Sequence, residues 1–165
     1  AHGFKDPEGL AFQPQTRELW IVDHGPQGGD EINIVRPGRD YGWPNVTYGK
    51  QYDARQADGR KNVFVGTGLT SMAGVEEPLY YWVPSIGPSG MMFYTGNLFP
   101  AWRGNLFVGS MPGQHLVRLV LEGDKVVAEE KLLADRNWRI REVKQGPDGA
   151  IYIFAGNRLV RLAPR

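Results

Sequence analysis

No cysteine occurs anywhere in this chain. That excludes disulfides, thiolate metal sites and redox dithiols, and it leaves the compartment open, because oxidising compartments also hold cysteine-free proteins. Charge of one sign is not in excess either: 19 Lys and Arg stand against 18 Asp and Glu, a formal net charge of +1. Such a balance supplies no global basic field for nucleic acid or an anionic membrane, although a local basic patch is compatible with it. No apolar run approaches the roughly 18 residues of a membrane span. There is no Gly-x-Gly-x-x-Gly, no phosphate-binding loop and no zinc-ligand spacing, so nucleotide chemistry has no support. Ser85, Ser89 and Ser110 lack a matching His and Asp arrangement, and Pro88-Ser89-Gly90 is not a nucleophile elbow, which makes a hydrolase triad improbable. No leader peptide precedes Ala1 and no Met starts the chain, so the expectation is a processed chain or a fragment.

What the chain has in quantity is turn chemistry. Its 22 Gly and 12 Pro punctuate many short segments rich in β-branched and aromatic residues. Three Pro-x-Gly turns recur, at Pro7-Glu8-Gly9, Pro88-Ser89-Gly90 and Pro147-Asp148-Gly149, each leading into paired strands. The first is followed by strand patterns at 18–22 and 31–35. The second leads through 91–94, 105–108, 116–119 and 125–130, a four-stranded meander. The third joins 139–144 to 150–154 and ends with 159–162. Recurrence at tens of residues marks a repeat architecture, and the expected fold is all-β: propeller blades of four-stranded antiparallel meanders, roughly three in residues 1–165. The last blade lacks a fourth strand, which an N-terminal segment outside the chain is expected to supply.

Residues 36–84 form one long irregular stretch. Loops of this length are usually functional or disordered. Aromatic residues at both ends, Tyr41-Gly42-Trp43-Pro44 and Tyr80-Tyr81-Trp82, argue that its flanks are tied down, while residues 53–62 read as solvated and mobile. A decorative insertion is the plainer alternative.

Two constellations carry chemistry. His24-Gly25-Pro26-Gln27-Gly28-Gly29-Asp30-Glu31 leaves one strand and enters the next through three Gly, which allow backbone carbonyls to converge as a hard cation such as Ca²⁺ requires. A tight loop with a capping Asp explains the same residues, and spacing alone favours it. In Arg139-Ile140-Arg141, strand alternation places both guanidinium groups on one face, roughly 7 Å apart, where they suit a polyanion; a solvated strand face is the plain counterpart. His24 is the best placed of three histidines, yet a hydrogen-bonded loop residue is its commoner role. The Trp and Tyr residues serve first as blade core.

Five ordered segments resemble one family: His24 to Asn33, Tyr41 to Pro44, Pro84 to Gly90, Trp102 to Gly109, and Arg139 to Val143 with Gly146 to Gly149. Together they resemble the C-terminal half of the soluble pyrroloquinoline quinone (PQQ)-dependent aldose sugar dehydrogenases, the glucose/sorbosone dehydrogenase family. The resemblance implies a six-bladed propeller that oxidises the C1 hydroxyl of an aldose to a lactone, with PQQ and Ca²⁺ as cofactors and an external electron acceptor. It implies that the carbonyls of Gly25 and Pro26 ligate the cofactor's Ca²⁺, that Arg139 and Arg141 lie near the cofactor carboxylates, and that Ser85 places a hydroxyl beside them. Glu31 and Tyr41 match a second, structural calcium site. A periplasmic or secreted location and completion by a missing N-terminal half, or by a second copy, follow from the same resemblance.

The sequence also departs from that pattern. Lys5-Asp6 stands where Arg-Asn is usual, which brings an anion toward an anionic quinone, and Lys is a poorer bidentate donor than Arg. Pro112, in Ser110-Met111-Pro112-Gly113, stands near a cofactor-binding Lys of several relatives, leaving Ser110 and the loop backbone as contacts. The family's proton-accepting His has no counterpart in this chain, so the chain alone is expected to be inactive. These departures favour a rival function, a non-catalytic propeller that binds carbohydrate or protein after loss of the quinone site.

Overall fold

The computed structural model describes residues 1–52 and 58–164. Strands β1 (Pro7–Phe12), β2 (Leu19–Asp23), β3 (Asp30–Val35) and β4 (Tyr80–Trp82) form a first antiparallel sheet in chain order. Strands β5 (Pro88–Phe93), β6 (Leu106–Ser110), β7 (Leu116–Glu122) and β8 (Lys125–Leu132) repeat the arrangement. A third sheet holds β9 (Ile140–Gln145), β10 (Ile151–Ala155) and β11 (Arg158–Leu162), with no fourth strand after it among the described residues. The first strands of successive sheets lie side by side, β1 against β5 and β5 against β9. Consecutive meanders so arranged are propeller blades, as the repeat predicts.

Alternation within each strand decides how the blades pack. Trp20, Val22, Ile32, Ile34 and Trp82 of the first blade meet Met91, Phe93, Leu106, Val108, Val117 and Leu119 of the second in one buried layer. The other face of the second blade, carrying Met92, Tyr94, Phe107 and Leu116, packs on Ile140, Val143, Ile151, Ile153 and Ala155 of the third. The middle blade is therefore covered on both faces. Large apolar side chains remain open on the end blades: Leu10 and Phe12 on the first, and the cross-strand pair Phe154 and Leu159 on the third, all more than half exposed.

Tyr94 also links the second and third blades through its hydroxyl, which donates to the Gly149 carbonyl at 2.7 Å and accepts the Phe99 N–H at 3.1 Å. Tyr94→Phe keeps the ring and deletes both bonds, so an unfolding-midpoint shift worth about 1–2 kcal/mol is expected in denaturant titration. An unchanged midpoint would show that the link contributes nothing.

The three Pro-x-Gly triplets turn out not to be equivalent. Pro7 and Pro88 open the innermost strands themselves, each followed by a bulge, whereas Pro147-Asp148-Gly149 turns between β9 and β10. Proline, with no amide hydrogen, suits both the first position of a strand and a turn. The glycines answer different needs: a Cβ at Gly9 would lie 2.6 Å from the Ser89 carbonyl oxygen, whereas Gly149 adopts φ +78°. Tyr80-Tyr81-Trp82, read from sequence as the end of an irregular stretch, is the outer strand of the first blade, pairing through Ile32–Tyr80 and Asp30–Trp82.

The excursion between β3 and β4 is anchored at its flanks. Tyr41 is buried, donates its hydroxyl to the Ile34 carbonyl, accepts the Arg36 N–H and stacks on Phe4. Tyr48 stacks on Tyr81 with ring centroids 3.8 Å apart. Of the segment expected to be solvated, residues 58–62 are exposed and 53–57 lie outside the described residues.

Candidate functional site

The inner strands run in the same direction, so their first residues gather at one end of the propeller. Gly9 abuts Ser89, and Ser89 Oγ donates to the Ile140 carbonyl at 2.7 Å; at the opposite end Thr95 N–H donates to Gln145 Oε1 at 2.8 Å. The β2–β3, β4–β5 and β6–β7 connections reach the same first end. Lys5, Asp6, the 24–29 loop, Ser85, the 110–113 loop, Arg139 and Arg141 are thereby brought to one side of the molecule, although they come from three blades.

Each inner strand is bulged at this end, a position where bulges re-aim side chains. In β9 the bulge falls at Arg141, since Ala155 pairs with Ile140 and Phe154 with Glu142. Strict alternation therefore fails there, and Ile140 and Val143, three residues apart, are both buried. Arg139 and Arg141 are exposed and form no ion pair among the described residues.

Asp30, seen in the sequence only as a loop cap, organises much of the site. Its carboxylate is completely buried and accepts the Gly25 N–H at 2.9 Å, the Ser85 hydroxyl at 2.8 Å, the Ile86 N–H at 2.7 Å and the Gly87 N–H at 3.1 Å. It caps its own loop and also joins it to the β4–β5 connection. Burial raises its pKa, opposed by Ser85, the nearby His24 and the two amides. No local spacing could reveal this, because Ser85 lies 55 residues away.

Asp23 does similar work on the other side. Its carboxylate accepts the amide hydrogens of Lys5 at 2.9 Å and Asp6 at 2.6 Å, while the Asp6 carbonyl accepts the His24 N–H. Burial raises the Asp23 pKa against those two donors. The Lys5 ammonium donates to the His24 carbonyl at 2.9 Å, so it braces the loop.

A cleft of about 520 Å³ opens beside the loop, lined in part by His24, Pro26, Tyr48, Lys50, Ser85 and Pro112. Lys50, which the sequence analysis did not single out, brings a positive charge to the cleft that Pro112 also lines. Ser110, expected as a cofactor contact, is fully buried and donates its hydroxyl to the Ile86 carbonyl at 2.6 Å, so it shapes the loop instead of offering a donor to a ligand.

Two donor sets suit hard cations. In the 24–29 loop the amides of Gly25, Gln27 and Gly29 are tied to Asp30, Lys50 and Trp82, whereas the carbonyls of Gly25 and Pro26 accept no backbone hydrogen bond among the described residues. Two neighbouring carbonyl oxygens left open in this way fit Ca²⁺. The second set surrounds Glu31, whose cross-strand neighbour is Asp23. Burial, with Asp23, Glu77 and Asp30 nearby, pushes its pKa up to about 7 against a hydrogen bond from Asn33. Asn33 Oδ1 is buried without a hydrogen-bond partner. An orphaned acceptor beside concentrated carboxylates fits a hard cation. Tyr41 could join only through its carbonyl, because its hydroxyl is committed to Ile34 and Arg36.

A family profile described as Glucose / Sorbosone dehydrogenase matches residues 1–163. Aldose sugar dehydrogenase YliI of Escherichia coli (strain K12) is 38% identical over 168 residues, which span 100% of this chain and 43% of that protein. Quinoprotein glucose dehydrogenase B of Acinetobacter calcoaceticus is 26% identical over 204 residues, 94% of this chain and 42% of that protein. A crystal structure of glucose dehydrogenase superposes with a TM-score of 0.88 at 47% identity, covering 99% of this chain and 46% of its own. The chain thus spans less than half the length of each of these proteins.

Proposed function

The chain belongs to the glucose/sorbosone dehydrogenase family, and on that premise we propose that it is the C-terminal half of a six-bladed propeller that oxidises the C1 hydroxyl of an aldose to the lactone, using PQQ and Ca²⁺. What supports this reading is that the Gly25 and Pro26 carbonyls, which accept no backbone hydrogen bond among the described residues, and the exposed Arg139 and Arg141, which form no ion pair among them, lie toward the same end of the blades.

When bound, the quinone would accept the two electrons and the hydrogen leaving sugar C1, and Ca²⁺ would supply a fixed positive charge. Gly25 and Pro26 hold the ion through their carbonyls. Arg139 and Arg141 bind cofactor carboxylates by charge-assisted hydrogen bonds. Ser85, oriented by Asp30, lines the cleft with His24 and Lys50, where the sugar enters. The acceptor of the C1 hydroxyl proton lies outside this chain. The remaining blades cover Leu10, Phe12, Phe154 and Leu159 and supply a strand beside β11, since exposed apolar faces and an open strand edge are liabilities. Electrons pass on to an external acceptor, and the resemblance favours a periplasmic or secreted location.

The test is a calorimetric titration of the full-length protein with PQQ, with and without Ca²⁺. Saturable binding that a chelator abolishes is expected, and Arg139→Ala and Arg141→Ala should each weaken it by roughly ten- to a hundredfold, the equivalent of about 1.5–3 kcal/mol for a charge-assisted hydrogen bond. Sugar binding without quinone binding in a folded protein would replace this reading with that of a carbohydrate-binding propeller, the reading that the anionic Asp6 favours.

A further inference from the structure

Asp6, Glu8 and His24 place one oxygen, one oxygen and one ring nitrogen within 4.8 Å of one another. We propose that these three residues form a site for a divalent transition metal of the zinc type, separate from the carbonyl site at Gly25 and Pro26.

The chain assembles the triad from two strand ends. Asp6 directly precedes β1 and His24 directly follows β2, and the His24 N–H bonds the Asp6 carbonyl across the pair. Glu8 is the extra residue of the β1 bulge, between the paired positions Pro7 and Gly9. Asp6 and Glu8, two residues apart, belong to one side of the strand, the side that His24 faces from across the pair, and the bulge adjusts where Glu8 points.

The histidine is oriented as a ligand. Nε2 lies 3.4 Å from Ser85 Oγ and 3.8 Å from the fully buried Asp30 carboxylate, and Nδ1 lies 4.0 Å from Asp6 Oδ2. A proton on Nε2, facing Asp30 and Ser85, leaves the Nδ1 lone pair for the side holding Asp6. Ser85 Oγ, whose own proton goes to Asp30, stands behind the distal nitrogen as an acceptor, and a hydrogen-bond acceptor there is the usual support of a metal-bound imidazole. Asp6 and Glu8 pair with no Lys or Arg among the described residues, and the nearby Lys5 ammonium is bonded to the His24 carbonyl.

Imidazole with two carboxylates suits zinc, cobalt or nickel better than calcium, which takes oxygen ligands. Metal to ligand distances of about 2.0–2.2 Å require the exposed Asp6 and Glu8 side chains to close in, which their exposure permits. Three protein ligands leave a coordination position for water or for an anionic group in the cleft that His24 lines.

The site needs neither quinone nor sugar, so it can be tested independently of the dehydrogenase reading. Chelator-treated full-length protein is titrated with Co²⁺, followed by visible absorption, and then with Zn²⁺ by calorimetry in excess Ca²⁺. One equivalent is expected to bind, with a cobalt d–d band that Zn²⁺ abolishes and Ca²⁺ does not. His24→Ala, Asp6→Asn and Glu8→Gln should each weaken binding at least tenfold, and Ser85→Ala by roughly tenfold through the lost support of the ring. Asp6 and Glu8 are exposed, so their variants test the site even if His24→Ala fails to fold. No saturable cobalt band, displacement by Ca²⁺, or affinity unchanged by Asp6→Asn and Glu8→Gln overturns the proposal.

Discussion

Replacing Asp30 with Ala is expected to destabilise the protein by about 3–5 kcal/mol and to abolish binding at the loop end of the blades. In Asp30→Ala the Gly25 and Ile86 amides lose their acceptor within the core, whereas Gly87 retains the Ser85 hydroxyl at 3.1 Å. Each orphaned buried donor costs about 1–3 kcal/mol, and losing one side of a buried charged network costs about 3–5 kcal/mol. Removing a buried charge also returns part of its desolvation cost, which keeps the figure toward the lower end. Asp30→Asn should cost less, because its amide oxygen can still serve Ile86 and Gly87 while its nitrogen donates to Ser85. Thermal melting of the three proteins should therefore give the order wild type, Asn, Ala. Calcium-dependent quinone binding should fall in the same order, because the Gly25 and Pro26 carbonyls and Ser85 are held in place by this carboxylate. Equal melting of Ala and wild type would remove Asp30 from the centre of the site.

Asp30 also shows which parts of the molecule could be read in sequence. Strands such as Leu19–Asp23 and Leu116–Glu122 were visible because burial on a blade face imposes local apolar patterning. β4 was not, because three aromatic residues after a long excursion carry no alternation of their own; only pairing with β3 makes them a strand. The site divides in the same way. The Gly-rich 24–29 loop and the Arg139/Arg141 pair are contiguous signals. The partnership of Asp30 with Ser85, the placement of Lys50 in the cleft and the approach of His24 to Asp6 and Glu8 depend on chain reversals, which leave no spacing to detect. Ser110 misled for the complementary reason: its position in the loop was apparent, but its hydroxyl bond to Ile86 was not.

Glu31→Gln should stabilise the metal-free protein by about 3 kcal/mol at pH 8, with the difference vanishing below about pH 4.5. In the folded chain Glu31 titrates near 7, against an ordinary value of 4.5, because burial and neighbouring carboxylates oppose its charge. A carboxyl whose folded pKa is raised holds its proton more tightly in the native state than in the unfolded one. Its stabilising contribution is therefore fully present below 4.5, declines as pH rises toward 7 and is gone above that. At about 1.36 kcal/mol per pKa unit, this interval gives the figure of about 3 kcal/mol, and the amide variant cannot undergo the loss. Calcium is expected to reverse the order. A cation bound to ionised Glu31 and the orphaned Asn33 oxygen would stabilise wild type in proportion to the logarithm of its concentration over its dissociation constant, while Glu31→Gln gains little. Denaturant melts of both proteins from pH 4 to 8, in chelator and then in Ca²⁺, separate the two effects. A constant difference across pH in chelator would show that the Glu31 charge is not what opposes folding. If the pH dependence is present but calcium leaves it unaltered, Glu31 is a buried carboxylate compensated by its proton alone and the second calcium site is lost from the account.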